Sequence, residues 1–552
     1  MKRASSSNRL ALEAGERTSE MRMTDPMTLT QEHHRAIPAV GPDVKLINHL
    51  SHPYHTVVAA AKTCYSPDVV FPDDIGKDAE AREQRDRIAR STYKAGHHTL
   101  LQHTAFQFVI RNISRHCVWS FLHSHPFYNS EQVSQRYVPV SPERFIIPPI
   151  SDKAFAVYKD ALSSLSAAYS HLVEILRPAA VSELATMQGD RTETGRETWI
   201  RQRCQEMARY VLPVATQTQL YHTINGLTLF RYQRLCESFD APWEQRLLVR
   251  QMVEEVSRVD PDFIRLMDDP LPLEQTPEYS LFRSQSPREQ TQTDEFITEF
   301  DDSLQGHVSK LVDYNAQGET TVAQGVRTIF GVPRRRLPDD DAIRQLMDPK
   351  MNPLWAETLN IFSHGKLSRA LTLMHLTFRK KLSLAADSQN QRHRLVQGAR
   401  PVLAAHFRPR HPDYIIPSLI RNTPGAVDFY QETMDLLWKN MDRLRHEGAP
   451  AEYTLYLLPN AATVRFEESG DLLSFHHKWT KRLCYLAQEE IWRSSLDEIT
   501  QCETLFPALF KHIGPPCTLR HRAEMKPFCP EGKRFCGTPV WTLSHHQYER
   551  TL

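Results

Sequence analysis

The sequence predicts an α/β (α+β) fold, rich in helix, carried in two tandem copies. Three observations predict it. At 552 residues the chain is long enough for two or more cores. Between Gly96 and Tyr137, Phe106, Phe108 and Ile110 alternate with Ala105, Gln107 and Val109, a half-buried strand. Cys117, Val118, Phe121 and Leu122 then recur at helical spacing from a start near Ser114-Arg115. The third observation is a repeat. Ile113-Ser114-Arg115, VLPVATQTQLYHTINGLTLF and APWEQR are followed, in the same order, by Leu367-Ser368-Arg369, LLPNAATVRFEESGDLLSFHH and AQEEIW. Pro213 precedes APWEQR by 28 positions, and Pro459 precedes AQEEIW by 28. Agreement of order and spacing over three landmarks marks a divergent tandem duplication.

Along the chain, residues 1–40 are polar and Ser-rich and are expected to be disordered. Residues 41–270 form the first domain, with helical periodicity dominant. Residues 271–294, rich in Gln, Ser, Thr and Pro, read as a linker. Residues 295–500 form the second domain, and residues 501–552 a Cys-rich tail. The 67 basic and 66 acidic residues nearly cancel, which argues against a general nucleic-acid or membrane-surface binder. No run is apolar and long enough for a membrane span, and residues 1–23 lack the apolar core of a secretory signal. Nine dispersed cysteines favour reduced thiols, hence a cytoplasmic protein.

The segment from Gly96 to Tyr137 holds six histidines, three arginines and five serines among apolar residues. Ser134 and Arg136 are two apart and share a side if the chain there is extended. A guanidinium fork beside a short hydroxyl donor suits a phosphate; a satisfied surface cluster is the alternative.

Read in order, GHHTLLQH, FQFVIRNISR, HSH, SQRY, ARYVLP, HTIN and APWEQR resemble the motifs of the flavin-dependent thymidylate synthase family. The likeness covers most of the first region and, more weakly, the second from about Leu359 to Ser495. It implies helices packed on a mixed sheet, and homotetramers whose sites combine several subunits. It also implies FAD, a uracil nucleotide and a folate as ligands, with reductive methylation of dUMP to dTMP using methylenetetrahydrofolate and reduced FAD. By resemblance, Ser134, Arg136 and Arg209 contact the nucleotide, and Arg482 of the second region falls where a further nucleotide arginine is expected. His97, His103, His123, His125 and Asn225 fall on flavin-contacting positions.

The sequence also departs from the family. Its arginine-rich flavin triplet becomes His123-Ser124-His125, and exchanging Arg for His gives up permanent charge and bidentate bonding. Leu227 and Leu473 replace an arginine in the two regions, Cys236 stands where Arg482 stands in the second, and Leu455 where Arg209 stands in the first. Phe378-Arg379-Lys380-Lys381 lies near the flavin-triplet position and Gln391-Arg392-His393 near the closing RY, while the second region shows no equivalent of the GH segment. The expectation is one composite site from Ser134, Arg136, Arg209 and Arg482, the halves pairing as pseudo-subunits; decay of both halves is the alternative. Two repeats per chain would let a homodimer mimic the tetramer. A degenerate nucleotide-binding or structural protein without redox activity is the competing functional reading.

Cys502, Cys517, Cys529 and Cys536 lie in the tail, with intervals that match no zinc ribbon. Four thiolates could hold Zn or an iron–sulfur cluster, or they are four unrelated reduced cysteines.

Overall fold

The computed structural model describes residues 41–122, 125–141, 144–187, 192–236, 242–267, 275, 290–408 and 410–550. The 1–40 segment, His123 and most of the 271–294 stretch lie outside the described residues.

Each repeat builds a four-stranded sheet. The first contains β1 (Asp43–His49), β2 (Phe106–Ser114), β3 (Asn129–Gln132) and β4 (Gln217–Ile224), in the order β1-β2-β4-β3. The second contains β5 (Ser309–Tyr314), β6 (His375–Ser383), β7 (Gln397–Ala399) and β8 (Thr463–Asp471), in the order β5-β6-β8-β7. The alternation read in the sequence is that of β2, where Phe106, Phe108 and Ile110 are fully buried. Every pairing is antiparallel. The mixed sheet expected from the resemblance is thereby corrected: among the described residues no parallel pair forms, since β4 and β8 each insert antiparallel between the second and third strands of their sheet.

The registers also correct how the repeats align. Ser114 ends β2 and its Oγ accepts the Cys117 N–H at 2.9 Å; Ser383 ends β6 and accepts the Ala386 N–H at 3.0 Å. Ser383, 269 positions on, is therefore the counterpart of Ser114, and Ser368 is not. The same offset sets Gly365 on Gly96, and the 3-10 turn Leu367–Leu373 on His98–His103. So the second repeat does keep the GH segment's framework, without its histidines. Thr223 pairs with Asn129 and Ser469 with Gln397. That register sets His393 on His125, while Phe378–Lys381 belongs to β6.

The helices that position the site are α1 (Asp152–Ile175), α2 (Glu193–Ala208), α3 (Gly226–Leu235) and α4 (Trp243–Val259) in the first repeat. The second has α5 (Ala426–His446), α6 (Leu472–Arg482) and α7 (Glu489–Leu505). Helices α1, α2, α5 and the start of α7 meet in one apolar core that both repeats share, with Tyr158, Met207 and Leu212 of the first beside Tyr430, Met441 and Leu458 of the second, whereas α3 and α4 pack in the first repeat's own core and α6 in the second's.

At its centre the two LP segments exchange backbone bonds. Val214 N donates to Leu458 O at 2.8 Å and Asn460 N to Leu212 O at 2.8 Å, while Ala215 and Ala461 donate to Tyr456 and Tyr210. Flanking this ladder, Glu244 accepts the Ser114 N–H at 2.9 Å and the Tyr456 hydroxyl at 2.9 Å. Its counterpart Glu490 accepts the Ser383 hydroxyl at 2.6 Å and the Tyr210 hydroxyl at 2.8 Å. Each repeat lends a tyrosine to the other's carboxylate, the reciprocity expected of a two-fold contact.

Candidate functional site

The principal cavity encloses about 1120 Å³ and has walls from three parts of the chain. The first repeat gives Arg136 and α2, the second the end of α6 and the 484–487 loop, and the tail residues between 516 and 550. Its wall carries eight Lys or Arg residues against four Glu, so it attracts anions.

Local structure aims the arginines. Ser134 Oγ accepts the Arg136 N–H at 3.2 Å, closing the turn that sends Arg136 inward. Asn460 of the second repeat donates to Gln135 Oε1 at 3.2 Å and to Arg209 O at 2.9 Å, bracing that turn against the end of α2. Arg136 pairs with Glu206 at 2.9 Å and donates to Leu486 O at 2.9 Å. Arg482, at the end of α6, donates to His393 Nε2 at 2.7 Å and to Gln389 O at 2.9 Å. Arg550 in the tail donates to Ala487 O at 2.7 Å and lies over the Trp492 ring. Thus the Leu486 and Ala487 carbonyls tie an arginine of the first repeat and one of the tail to the loop after Arg482.

Charge in this cluster is only partly balanced. Arg203, buried, binds Glu183 at 3.0 Å. Burial works against a charge on Glu206, yet Arg136, Arg203 and Arg209 outweigh it and hold that carboxyl below its usual range. Burial, with the Arg136 and Arg392 charges, pulls the Arg482 guanidinium down to about 10. Burial and Arg203 do the same to Arg550. Arg203 Nη1 and Nη2, Arg209 Nη2 and Arg550 Nε are buried with no hydrogen-bond partner. Orphaned buried donors are costly, and an anion is the group that satisfies several at once. Trp355 and His476, both buried, reach the same cavity wall, their rings packed on each other at 3.9 Å with planes 34° apart.

Arg136 and Arg482 therefore come together on one cavity. Arg209 stands behind them, packed on Glu206 by an Nε bond of 3.3 Å to the Glu206 carbonyl. Ser134 shapes the turn.

Among the described residues assigned to the flavin, which exclude His123, no charged grip gathers. His97 and His103 are exposed at either end of a short 3-10 turn. Asn225 Oδ1 caps α3 through the Thr228 N–H at 2.9 Å. His125 Nε2 lies 3.0 Å from the Tyr232 hydroxyl. Burial first, then Arg231 and Arg394, push its imidazole down to about 4, so it is neutral at pH 7. A neutral imidazole tied to a tyrosine does not fit a flavin diphosphate.

The structure also separates Cys502 from the other tail cysteines. It sits fully buried on α7 in the second repeat's own core, whereas Cys517 and Cys536 pack on the shared core. Among the described residues no three His, Cys, Asp or Glu side chains converge to hold a single metal ion.

Sequence reasoning missed Arg203, Glu206 and Arg550. Arg203, Glu206 and Arg209 share one helical face at three-residue spacing, a legible stripe. Nothing local marks Arg550.

A family model described as thymidylate synthase complementing protein matches residues 45–262 and 310–508. The chain is similar to the flavin-dependent thymidylate synthase of Clostridium tetani, 30% identical over 229 residues, covering 41% of this chain and 86% of that protein. It is similar to that of Nitratidesulfovibrio vulgaris, 27% identical over 234 residues, with shares of 41% and 86%. A solved structure that matches is the UMP/dUMP methylase PolB from Streptomyces cacaoi bound with 5-Br dUMP, at 17% identity, 41% of this chain, 93% of that one and a TM-score of 0.29.

Proposed function

The chain belongs to the thymidylate synthase complementing protein family, and from that premise we propose that it methylates a uracil nucleotide, dUMP to dTMP, at one composite site between its repeats. The observation that carries this reading is the set of buried arginines from both repeats and the tail around one cavity, several with unpaired donors. A nucleotide phosphate supplies the missing acceptors, and Arg136 and Arg482 bracket it from opposite repeats. Glu206 keeps Arg136, Arg203 and Arg209 in register without neutralising them all. The Leu486 carbonyl fixes the Arg136 fork in advance, so little order is lost on binding. Methylenetetrahydrofolate is the methyl donor of this reading.

The relatives named above are flavin-dependent, and FAD is the redox partner of the same proposal. Because the described contact residues do not fit its diphosphate, affinity for FAD is expected to be weak. The chain's tandem pairing favours a homodimer that mimics a tetramer of single repeats.

The test is a calorimetric dUMP titration of wild type, Arg136→Glu and Arg482→Glu. Each variant should bind about 100-fold more weakly, the scale of two charge-assisted hydrogen bonds. Wild-type affinity in Arg482→Glu overturns the composite site. Formation of dTMP with added folate and FAD tests the reaction, and nucleotide binding without dTMP under any flavin load would favour the redox-inactive reading.

A further inference from the structure

We propose that Arg550, near the end of the tail, is a phosphate ligand of the nucleotide cavity, so that the tail completes an anion site begun by the two repeats. This role rests on the composite nucleotide site proposed above and adds to it a residue from outside both repeats. The family match ends at residue 508, and the tail beyond it is additional to the matched fold. Contacts with the second repeat hold that addition in place. The His545 ring bridges Glu503 and the Ile513 carbonyl, 2.9 Å from each. Two residues before Arg550, the buried Tyr548 ring packs edge-on against Tyr485, with centroids 6.1 Å apart. Pro516, Leu519, Pro530 and Glu549 are part of the tail's share of the cavity wall. Arg550 therefore enters the cavity from a fixed point.

Its guanidinium is aimed but incompletely bonded. Arg550 Nη1 donates to the Ala487 carbonyl at 2.7 Å, and Arg136 Nη2 donates to the Leu486 carbonyl at 2.9 Å. Consecutive carbonyls of one loop thus hold a guanidinium of the first repeat and one of the tail, and both side chains line the cavity. The Trp492 ring lies 5.7 Å from the Arg550 guanidinium and covers one of its faces. Arg550 Nε is buried with no hydrogen-bond partner. Charge divides the buried arginines of this wall into two kinds. Arg136 and Arg203 have carboxylates, Glu206 and Glu183. Arg482 donates to an imidazole and a carbonyl, Arg550 to a carbonyl, and no described carboxylate forms an ion pair with either. Arginine stays charged at any working pH, so these two cations call for a counterion from outside the chain. A phosphate monoester, close to a dianion at pH 7, supplies the charge and the acceptor oxygens for both. A neutral nucleoside supplies neither.

The test compares full-length wild type, Arg550→Gln and Arg550→Lys by calorimetric dUMP titration and by phosphorus NMR of the bound nucleotide. Free phosphate monoesters take up their second proton at about pH 6. In wild type the arginines should hold bound dUMP as the dianion well below that pH. Arg550→Gln should weaken dUMP about 10-fold, the scale of one charge-assisted hydrogen bond, and return the bound phosphate's titration toward its free value. Arg550→Lys restores the charge and should recover part of both effects. A phosphate titration in Arg550→Gln identical to wild type, with or without a loss of affinity, reduces Arg550 to a wall residue and overturns the proposal. Failure of the composite site reads differently: Arg136→Glu and Arg482→Glu would then bind dUMP as wild type does, and this role for Arg550 falls with it. Far-ultraviolet circular dichroism checks that the variants fold. If Arg550→Gln does not, the crystal structure of wild type with dUMP decides. A phosphate oxygen within about 3 Å of an Arg550 nitrogen supports the ligand role, and a phosphate held elsewhere overturns it.

Discussion

Glu244 shows at the scale of one residue what joining two repeats requires. Its carboxyl is fully buried, with the Ser114 N–H and the Tyr456 hydroxyl each 2.9 Å away as donors. Burial, outweighing those bonds, raises it from an ordinary 4.5 to about 7. The folded chain therefore binds this proton more tightly than the unfolded chain. The stabilisation is complete below pH 4.5 and is lost as pH rises through 7, and it amounts to about 3 kcal/mol. Glu244→Gln keeps the shape and removes the titration. Urea denaturation from pH 4.5 to 7.5 should give a flatter stability profile for the variant than for wild type, and parallel profiles would rule out Glu244 as the titrating group.

Among the elements, α3 and α6 separate a structural role from a ligand role. Asn225 caps α3 and its counterpart Asp471 caps α6, through the Thr228 and Ser474 N–H groups at 2.9 and 2.8 Å. Asn225→Ala and Asp471→Ala should each cost about 1 kcal/mol in thermal or urea unfolding. If capping is the whole role of Asn225, FAD affinity stays unchanged in its variant; a selective loss of flavin binding would restore the ligand role. Some elements were legible in the sequence because their signals are local: the alternation of β2, the helical start near Ser114-Arg115, the equal spacing from Pro213 and Pro459; the capping role of Asn225 was not read. Placing the second repeat's serine was harder. Leu367-Ser368-Arg369 copies the letters of Ile113-Ser114-Arg115, but only the strand register shows that Ser383 occupies the equivalent place. Arg550 was illegible for a related reason. It reaches the cavity through its bond to the Ala487 carbonyl, and nothing in the residues around it announces a partner so far along the chain.

For the whole molecule, the pseudo-two-fold pairing poses two nucleotide sites, and the residues leave one. The proposed site takes Arg136 and Arg209 from the first repeat and Arg482 from the second. Its mirror would need their counterparts. Leu455 stands for Arg209 and Cys236 for Arg482, each 246 positions apart, as are Pro213 and Pro459. The counterpart of Arg136 falls at Ala404 or Ala405, between registers that β7 and the Tyr414–Ala462 bridge fix on either side. Apolar groups at all three places leave a phosphate without donors, and burying an unpaired phosphate there would cost far more than it returns. Duplication followed by loss on one side thus concentrates the charge: each repeat keeps what the other discarded, and neither repeat alone has a complete set. The expected stoichiometry is one dUMP per chain, read from the calorimetric titration of the full protein. Two equivalent sites would mean that the mirror position binds phosphate by other groups. The double variant Arg136→Glu with Arg482→Glu should lose less than the sum of the two single losses, because both side chains act on one phosphate; strictly additive losses would show that they act on the ligand independently.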